Sequence, residues 1–317
     1  MGGAEFDLVE RIRQRAGERD DVVLGIGDDA ALLRVPPGRL LVVATDTLNA
    51  NVHFPGGTAP ADIGWKALAV NLSDLAAMGA TPAWCTLSLS MPEADAGWVD
   101  GFLDGYLEIA AQHQVVLVGG DTTQGPLSVC VTVHGLVEEG AALRREGARV
   151  GDDVWVSGTL GDAAGALAMG NDAPAALRTR LDRPEPRLAL GQAFAGIATA
   201  AIDVSDGLLA DLGHVCKASG VGAQVELDML PTSDVLRDAF DARARRVLQA
   251  AGGDDYEVCF TAAPDKRTAI MAASRKLNVP VTRVGRIVAG NEVQALDADD
   301  RPWQPPRTGY THFGAAD

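Results

Sequence analysis

The sequence predicts two α/β domains. Three observations carry that expectation. The length of 317 residues is more than one core commonly serves. Apolar, partly β-branched runs alternate with segments of helical period along the chain. Between 138 and 151 the apolar pattern lapses into Glu, Gly and Arg, which divides the chain into domains 1–138 and 139–317. No short repeat of solenoid type is present.

In the first domain Val22-Val23-Leu24 leads into Gly25-Ile26-Gly27-Asp28-Asp29-Ala30, which fits G-x-G-x-x-A, and Asp46 lies about where a ribose-binding acid would stand. That pattern needs a helix after its last glycine. Instead 30–35 runs into the turn Pro36-Pro37-Gly38, and Leu40-Leu41-Val42-Val43 follows as a second strand, so strand, turn, strand excludes a dinucleotide loop. Residues 58–79 read as a helix, with Pro60 near its start, Ile63, Ala67, Val70 and Ala77 near one stripe, and Gly79 in the stop position. A helix over 95–113 feeds the strand Val115-Val116-Leu117-Val118, which is expected to end at Gly119-Gly120-Asp121; a strand over 128–135 follows.

The second domain opens with a strand over 153–157 and a helix after Gly161. A Pro- and Arg-rich loop is expected at 178–187 and a helix at 188–199. Ala201-Ile202-Asp203-Val204-Ser205-Asp206-Gly207 reads as a strand end entering a helix over 208–219. Strands near 224–227, 257–261 and 282–288 alternate with helices near 235–251 and 265–277.

A formal charge of −16, from 43 acidic and 27 basic residues, disfavours binding to nucleic acid or anionic lipid. Any phosphate ligand needs metal ions or local arginines. Cys85, Cys130, Cys216 and Cys259 are far apart without a C-x-x-C pair, which predicts neither a zinc site nor a disulfide framework and fits a reducing compartment. Glu5, Asp7 and Glu10 take the place of a signal-peptide core, and no run reaches transmembrane length. A cytoplasmic protein is expected.

Acids flanked by Gly, Ser, Thr or Asn recur at the ends of elements: Gly27-Asp28-Asp29, Thr45-Asp46-Thr47, Asn71-Leu72-Ser73-Asp74, Gly119-Gly120-Asp121, Asp203-Val204-Ser205-Asp206-Gly207 and Gly252-Gly253-Asp254-Asp255-Tyr256-Glu257. Singly, each is an ordinary turn or cap. Asp74 is less ordinary, because a negative charge near a helix C-terminus costs roughly 0.3–1 kcal/mol, and Asn71 shares its face. If several of these carboxylates converge, each pair 4 Å apart repels by roughly 4 kcal/mol at an effective dielectric of 20. Hard divalent cations offset such repulsion, and Mg²⁺ in particular is held by a few carboxylates together with substrate phosphates. Asp28 is then expected to meet phosphate through a metal.

Walker, kinase-loop and nucleophile-elbow motifs are absent, which disfavours P-loop enzymes and covalent hydrolases. Arg144 and Arg145 near the boundary are exposed linker arginines or phosphate neutralisers. His53 follows Asn49-Ala50-Asn51-Val52 in a polar loop, and Tyr310 and Phe313 either dock the tail or cover a flat ring.

In order along nearly the whole chain, Gly25-Ile26-Gly27-Asp28-Asp29-Ala30, Thr45-Asp46-Thr47-Leu48, His53-Phe54, Asn71-Leu72-Ser73-Asp74-Leu75-Ala76-Ala77-Met78-Gly79-Ala80, Gly119-Gly120-Asp121-Thr122-Thr123, Asp203-Val204-Ser205-Asp206-Gly207-Leu208, Gly252-Gly253-Asp254-Asp255-Tyr256-Glu257 and His312-Phe313 together resemble the thiamine-monophosphate kinase family of the aminoimidazole ribonucleotide synthetase-like superfamily. The resemblance implies two mixed-sheet domains, an N-terminal one binding ATP and Mg²⁺ and a C-terminal one completing the active site. It also implies a homodimer whose N-terminal sheets pair. The implied reaction is ATP-dependent phosphorylation of thiamine monophosphate to thiamine diphosphate, by direct transfer with no catalytic side chain beyond positioning and metal electrostatics. By position, Asp28, Thr45, Asp46, Asp74, Asp121, Asp203 and Asp206 would serve several Mg²⁺ ions. Tyr106, Gly120, Asp121, Arg145 and Ser205 would contact ATP, and His53, Asp254 and Tyr310 the thiamine phosphate. Two positions depart from the family: Asp254 where Glu is usual, and Ala44 where Ser is common before Thr45. Other enzymes of the superfamily, such as selenophosphate or aminoimidazole ribonucleotide synthetases, and a non-catalytic metal or nucleotide sensor remain as alternatives. A selenophosphate enzyme calls for a reactive cysteine near the N-terminus, and the first cysteine here is Cys85.

Overall fold

Short polar turns and long apolar runs give the first part of the chain its order of elements: α1 (Gly3–Arg15), β1 (Val22–Leu24), β2 (Leu32–Leu33), β3 (Arg39–Asn49), α2 (Pro60–Ala77), β4 (Thr81–Met91), α3 (Ala96–Gln112), β5 (Val116–Gln124) and β6 (Ser128–Glu138). They are seen in a computed structural model, which describes residues 3–306 and Gly309. The chain divides into two compact units, Met1–Leu75 with Ala80–Gly140, and Ala76–Gly79 with Ala141–Asp317.

The first unit is built on a four-stranded sheet of order β3-β6-β4-β5, in which only β4 and β5 run parallel, joined by the crossover helix α3. Val129, Val131 and Val133 of β6 are buried on one face, and Leu75 of α2 lies beside Gly135 on that same face. Helix α2 meets α3 backbone to backbone. A Cβ on Gly64 would stand 2.0 Å from the Phe102 carbonyl oxygen, and one on Gly105 1.7 Å from that of Ala61, so no larger residue permits this crossing. Helix α1, which the sequence did not announce, carries Arg11 and Arg15 to Asp100 and Asp104 of α3.

Two local expectations hold and one changes. The loop after β1 is not helical, as the prolines require, and β1 pairs with β2 as a small antiparallel ribbon. Helix α3 starts and stops where expected, because the Asp95 side chain accepts from the Gly97 and Trp98 amides. Strand β5 does not end at Gly119: it continues to Gln124, since its parallel register with β4 runs from Trp84↔Val116 to Met91↔Gln124.

The second unit contains β7 (Asp153–Ser157), α4 (Asp162–Met169), α5 (Ala175–Asp182), α6 (Leu188–Phe194), β8 (Ala200–Val204), α7 (Leu208–Ser219), β9 (Gly222–Glu226), α8 (Asp234–Ala239), α9 (Ala242–Ala251), β10 (Glu257–Ala262), α10 (Arg267–Leu277), β11 (Val281–Val288), β12 (Val293–Leu296) and β13 (Pro302–Trp303). Its seven-stranded mixed sheet has the order β13-β12-β9-β11-β7-β10-β8, with only β12 and β9 parallel among the described pairs. Val154, Val156, Ile202, Val204, Leu208, Leu212, Val225 and Val284 share its core.

The expected loop at 178–187 is half helix. Leu177 and Leu181 lie one turn apart and pack with Ala163, Ala166 and Leu236, and the prolines at 184 and 186 mark the end of α5 instead of forbidding it. The helix expected over 235–251 is two, because Asp241 caps α9 through the Ala244 amide at 2.8 Å. Helix α6 stops at Phe194, short of 199, and the Thr199 amide donates to Thr261. No described helix is long and apolar enough to cross a membrane.

Candidate functional site

In the first unit the candidate residues gather on β3, α2, β5 and their loops. The main-chain N–H of Asp46 donates to Asn71 Oδ1 at 2.9 Å, and Asn71 Nδ2 donates to the Ala67 carbonyl one turn back. Asn71 is fully buried, and Asp74 follows it by one turn on α2. Helix and strand are thus tied at the two positions that bear Asp46 and Asp74.

Thr45 faces the other way. Successive strand residues alternate between faces, and the burial of β3 follows that alternation: Asp46 and Leu48 are shielded while Thr45 and Thr47 are exposed. The Thr45 hydroxyl donates to the Val131 carbonyl at 3.0 Å and lies 3.0 Å from Thr132 Oγ1. The structure therefore does not bring the side chains of Thr45 and Asp46 to one ion.

Asp121 is exposed within β5, in register with Ser88, and its Oδ1 accepts from the Thr122 amide. The preceding Gly120 has φ +152°, and a Cβ there would meet the Leu87 carbonyl oxygen at 1.8 Å, so only glycine lets the strand pass this close. Asp28 is exposed in the loop after β1, accepting from the Asp29 amide.

His53 is held by its neighbours. Its Nδ1 accepts from the Asn49 amide at 2.9 Å, its own amide donates to the Asn49 carbonyl, and its carbonyl accepts from Lys66 Nζ at 3.1 Å. Lys66 is buried, which sequence reading missed. Because Nδ1 is an acceptor, the neutral ring carries its proton on Nε2.

Tyr106 corrects an expectation. Its ring is fully buried and stacked on Phe102 at 5.7 Å, and its hydroxyl donates to Cys85 Sγ at 3.1 Å. No surface is left for a nucleotide to touch; the spacing of Trp98, Phe102 and Tyr106 along one face of α3 is that of a core stripe.

In the second unit Asp203 is buried on β8, at the edge of the sheet, and Ser205 and Asp206 are half-exposed in the loop that enters α7. Asp254 N donates to Ser205 O, and Tyr256 N to Val204 O, both at 2.8 Å, which docks the two loops together. Asp254 and Tyr256 both take positive φ, +67° and +50°, and the Tyr256 hydroxyl donates to Asp254 Oδ1 at 3.0 Å. Two residues that bear side chains thus take the left-handed conformation within three positions.

Under this loop lies a charged cluster that sequence reading also missed. The fully buried Glu257 accepts from Arg187 Nε and Nη2 at 2.6 Å each, Arg180 Nη2 at 2.7 Å and Ser157 Oγ at 2.5 Å. Burial opposes its ionisation, but the bonds and charge of Arg187, with Arg180 and Ser157, more than offset this and hold the carboxyl below the ordinary glutamate range. Arg145 is exposed on a loop whose backbone Ser219 fixes, through a bond to the Arg145 carbonyl and bonds from the Gly147 and Ala148 amides. Tyr310 lies outside the described residues.

A hard cation fits these donors. The aspartates among the candidate ligands offer carboxylate oxygen, and the buried Asp211 is pushed up to about 7, first by burial and then by the charges of Asp203 and Asp206. Among the described residues no three His, Cys, Asp or Glu side chains stand close enough to enclose an ion. The arrangement suits Mg²⁺ held by one or two carboxylates with substrate oxygens, not a closed protein cage.

Comparison with known proteins places the chain. Residues 27–137 match the family of AIR synthase related proteins, N-terminal domain, and 149–297 the corresponding C-terminal domain. A thiamine-monophosphate kinase of Salmonella typhimurium is 46% identical over 99% of both chains. The chain belongs to the thiamine-monophosphate kinase family. The crystal structure of a thiamine-monophosphate kinase from Stenotrophomonas maltophilia superimposes with a TM-score of 0.87 at 55% identity, covering 92% of this chain and 96% of that one. The structure of AaThiL complexed with AMPPCP and TMP gives a TM-score of 0.77 at 30% identity, covering 97% of this chain and 96% of that one. Within the thiamine-monophosphate kinase family the two-domain mixed α/β fold expected from sequence is the fold found. Asn71, Asp211 and Glu257 lie inside the quoted motifs or one turn beyond them, which was the only sequence signal for their part.

Proposed function

We propose that this chain transfers the γ-phosphoryl group of ATP to the phosphate of thiamine monophosphate, yielding thiamine diphosphate in the last step of its biosynthesis. The observation that carries the reading is 46% identity over 99% of both chains with a thiamine-monophosphate kinase. A structurally similar protein complexed with AMPPCP and TMP supports the same pair of substrates.

Asp28, Asp46, Asp74 and Asp121 of the first unit, and Asp203 and Asp206 of the second, are the residues that would hold Mg²⁺. When bound, the ion supplies charge neutralisation and in-line alignment of the phosphates. Gly120, Arg145 and Ser205 serve ATP: the glycine by close backbone approach, the arginine by neutralising phosphate, the serine by its hydroxyl. His53, Asp254 and Tyr310 would serve the thiamine phosphate, an acid suiting its cationic ring. No base is needed, because a phosphate monoester with a second pKa near about 6 is mostly dianionic at neutral pH. Direct transfer without a phosphorylated enzyme follows from the lack of a nucleophile paired with a base among these residues.

A homodimer is supported by β3, an edge strand that exposes Leu40, Leu41 and Val43 at about half of their surface. An edge strand of eleven residues with this exposed apolar stretch is a liability unless a second copy covers it. Four free cysteines, three of them buried, accord with a cytoplasmic location. The test is a coupled assay with ATP, Mg²⁺ and thiamine monophosphate, in which ADP and thiamine diphosphate form in equal amounts. Absence of thiamine diphosphate from active, folded protein would reject the reading.

A further inference from the structure

Asp211 stands one turn inside α7 and is almost completely buried. Its Oδ2 accepts from three consecutive main-chain amides, those of Ser205 and Asp206 at 3.0 Å and of Gly207 at 3.1 Å. Successive amides that converge on one point form a concave nest, and nests at helix starts are natural seats for phosphate. Here the seat is filled from within. With the amides turned inward on Asp211, Ser205 and Asp206 remain half-exposed while Gly207 and Leu208 are buried. The same loop receives Asp254 N on the Ser205 carbonyl and Tyr256 N on that of Val204, so whatever fixes it also fixes the strained turn that carries Asp254.

An ordinary N-cap requires one acceptor at the first turn. Gly207, at the cap position, makes no side-chain bond, and a residue four positions on reaches back to gather three donors into one oxygen. We propose that Asp211 is a positioning residue that occupies the phosphate-seeking amides of the Ser205–Gly207 turn, so that nucleotide and metal meet this loop through the side chains of Ser205 and Asp206 and not through its backbone. The proposal rests on the functional reading that Ser205 and Asp206 serve ATP and metal.

Two measurements test it. In wild-type protein labelled with ¹³C and ¹⁵N, the amides of Ser205, Asp206 and Gly207 keep their scalar coupling across the hydrogen bond to the Asp211 carboxylate carbon when Mg²⁺ and AMPPCP are added to saturation. Loss of these couplings on addition would mean that phosphate takes the amides, and would overturn the proposal. In Asp211→Asn, calorimetric affinity for Mn²⁺ with AMPPCP falls about tenfold or more, the range seen when partners behind metal ligands are removed, while affinity for thiamine monophosphate changes less. A lowered Tm with both affinities within about twofold of wild type would leave Asp211 as a helix cap only. If Asp211→Asn does not fold, the wild-type amide measurement decides alone. Failure of wild-type protein to bind AMPPCP with Mg²⁺ at all would instead reject the functional reading, and the proposal with it.

Discussion

The main-chain N–H of Asp46 is satisfied by the side chain of Asn71, 2.9 Å away, so that a strand bearing one candidate metal ligand is bonded to the helix bearing another, Asp74. An amide left buried without its acceptor costs roughly 1–3 kcal/mol. Asn71→Ala is therefore expected to lose about that much stability by urea unfolding, and to lower turnover further than the stability loss explains at a temperature where the variant is fully folded. Unchanged stability would show that the bond is not what joins β3 to α2.

Removal of divalent cations should abolish turnover, because the phosphates of ATP cannot otherwise approach Asp28, Asp46, Asp74 and Asp121. Excess EDTA stops the reaction and added Mg²⁺ restores it. Asp46→Asn should lose most of its activity with little change in Tm, since a polar residue near a strand end adds little to stability. Full activity in EDTA would reject the metal-held arrangement.

Asp254 is one methylene shorter than the glutamate usual in the family, and its carboxylate is aimed by the Tyr256 hydroxyl. Asp254→Ala should raise KM for thiamine monophosphate at least several-fold while KM for ATP moves little. Equal changes in both constants would make it a structural member of the turn.

Glu257 is ionised below the ordinary glutamate range because Arg187, Arg180 and Ser157 outweigh the burial that opposes its charge. A depressed carboxyl contributes stability that is complete above the unfolded value near about 4.3 and is lost as pH falls through the folded one. Breaking a buried pair on one side costs about 3–5 kcal/mol. Glu257→Gln should thus be destabilised by that order at pH 7, with the gap to wild type narrowing below about pH 4. A gap independent of pH would assign the loss to packing.

Helix α3 was legible to within one residue at each end because its cap, Asp95, is a local device. Helix α5 was not: its prolines at 184 and 186 suggested a loop, and only the packing of Leu177 and Leu181 on Leu236 shows where the helix precedes them. Asp241 could have been recognised as a cap, whereas the extension of β5 through Asp121 depends on its partner β4 and leaves no local trace.

The sequence by itself determined the two α/β domains, the recurrent acids beside Gly, Ser and Thr, and, through the order of its motifs, the family. These depend on period, composition and spacing, which are properties of the chain before it folds. Only the tertiary structure decided that Thr45 turns away from Asp46, that Tyr106 is sealed against Cys85, and that Asn71, Asp211 and Glu257 hold the loops which carry the candidate site. Each of those outcomes is a pairing between a polar atom and a partner brought to it by packing. A buried donor or acceptor takes whichever partner the fold supplies, and no local pattern records which one that is.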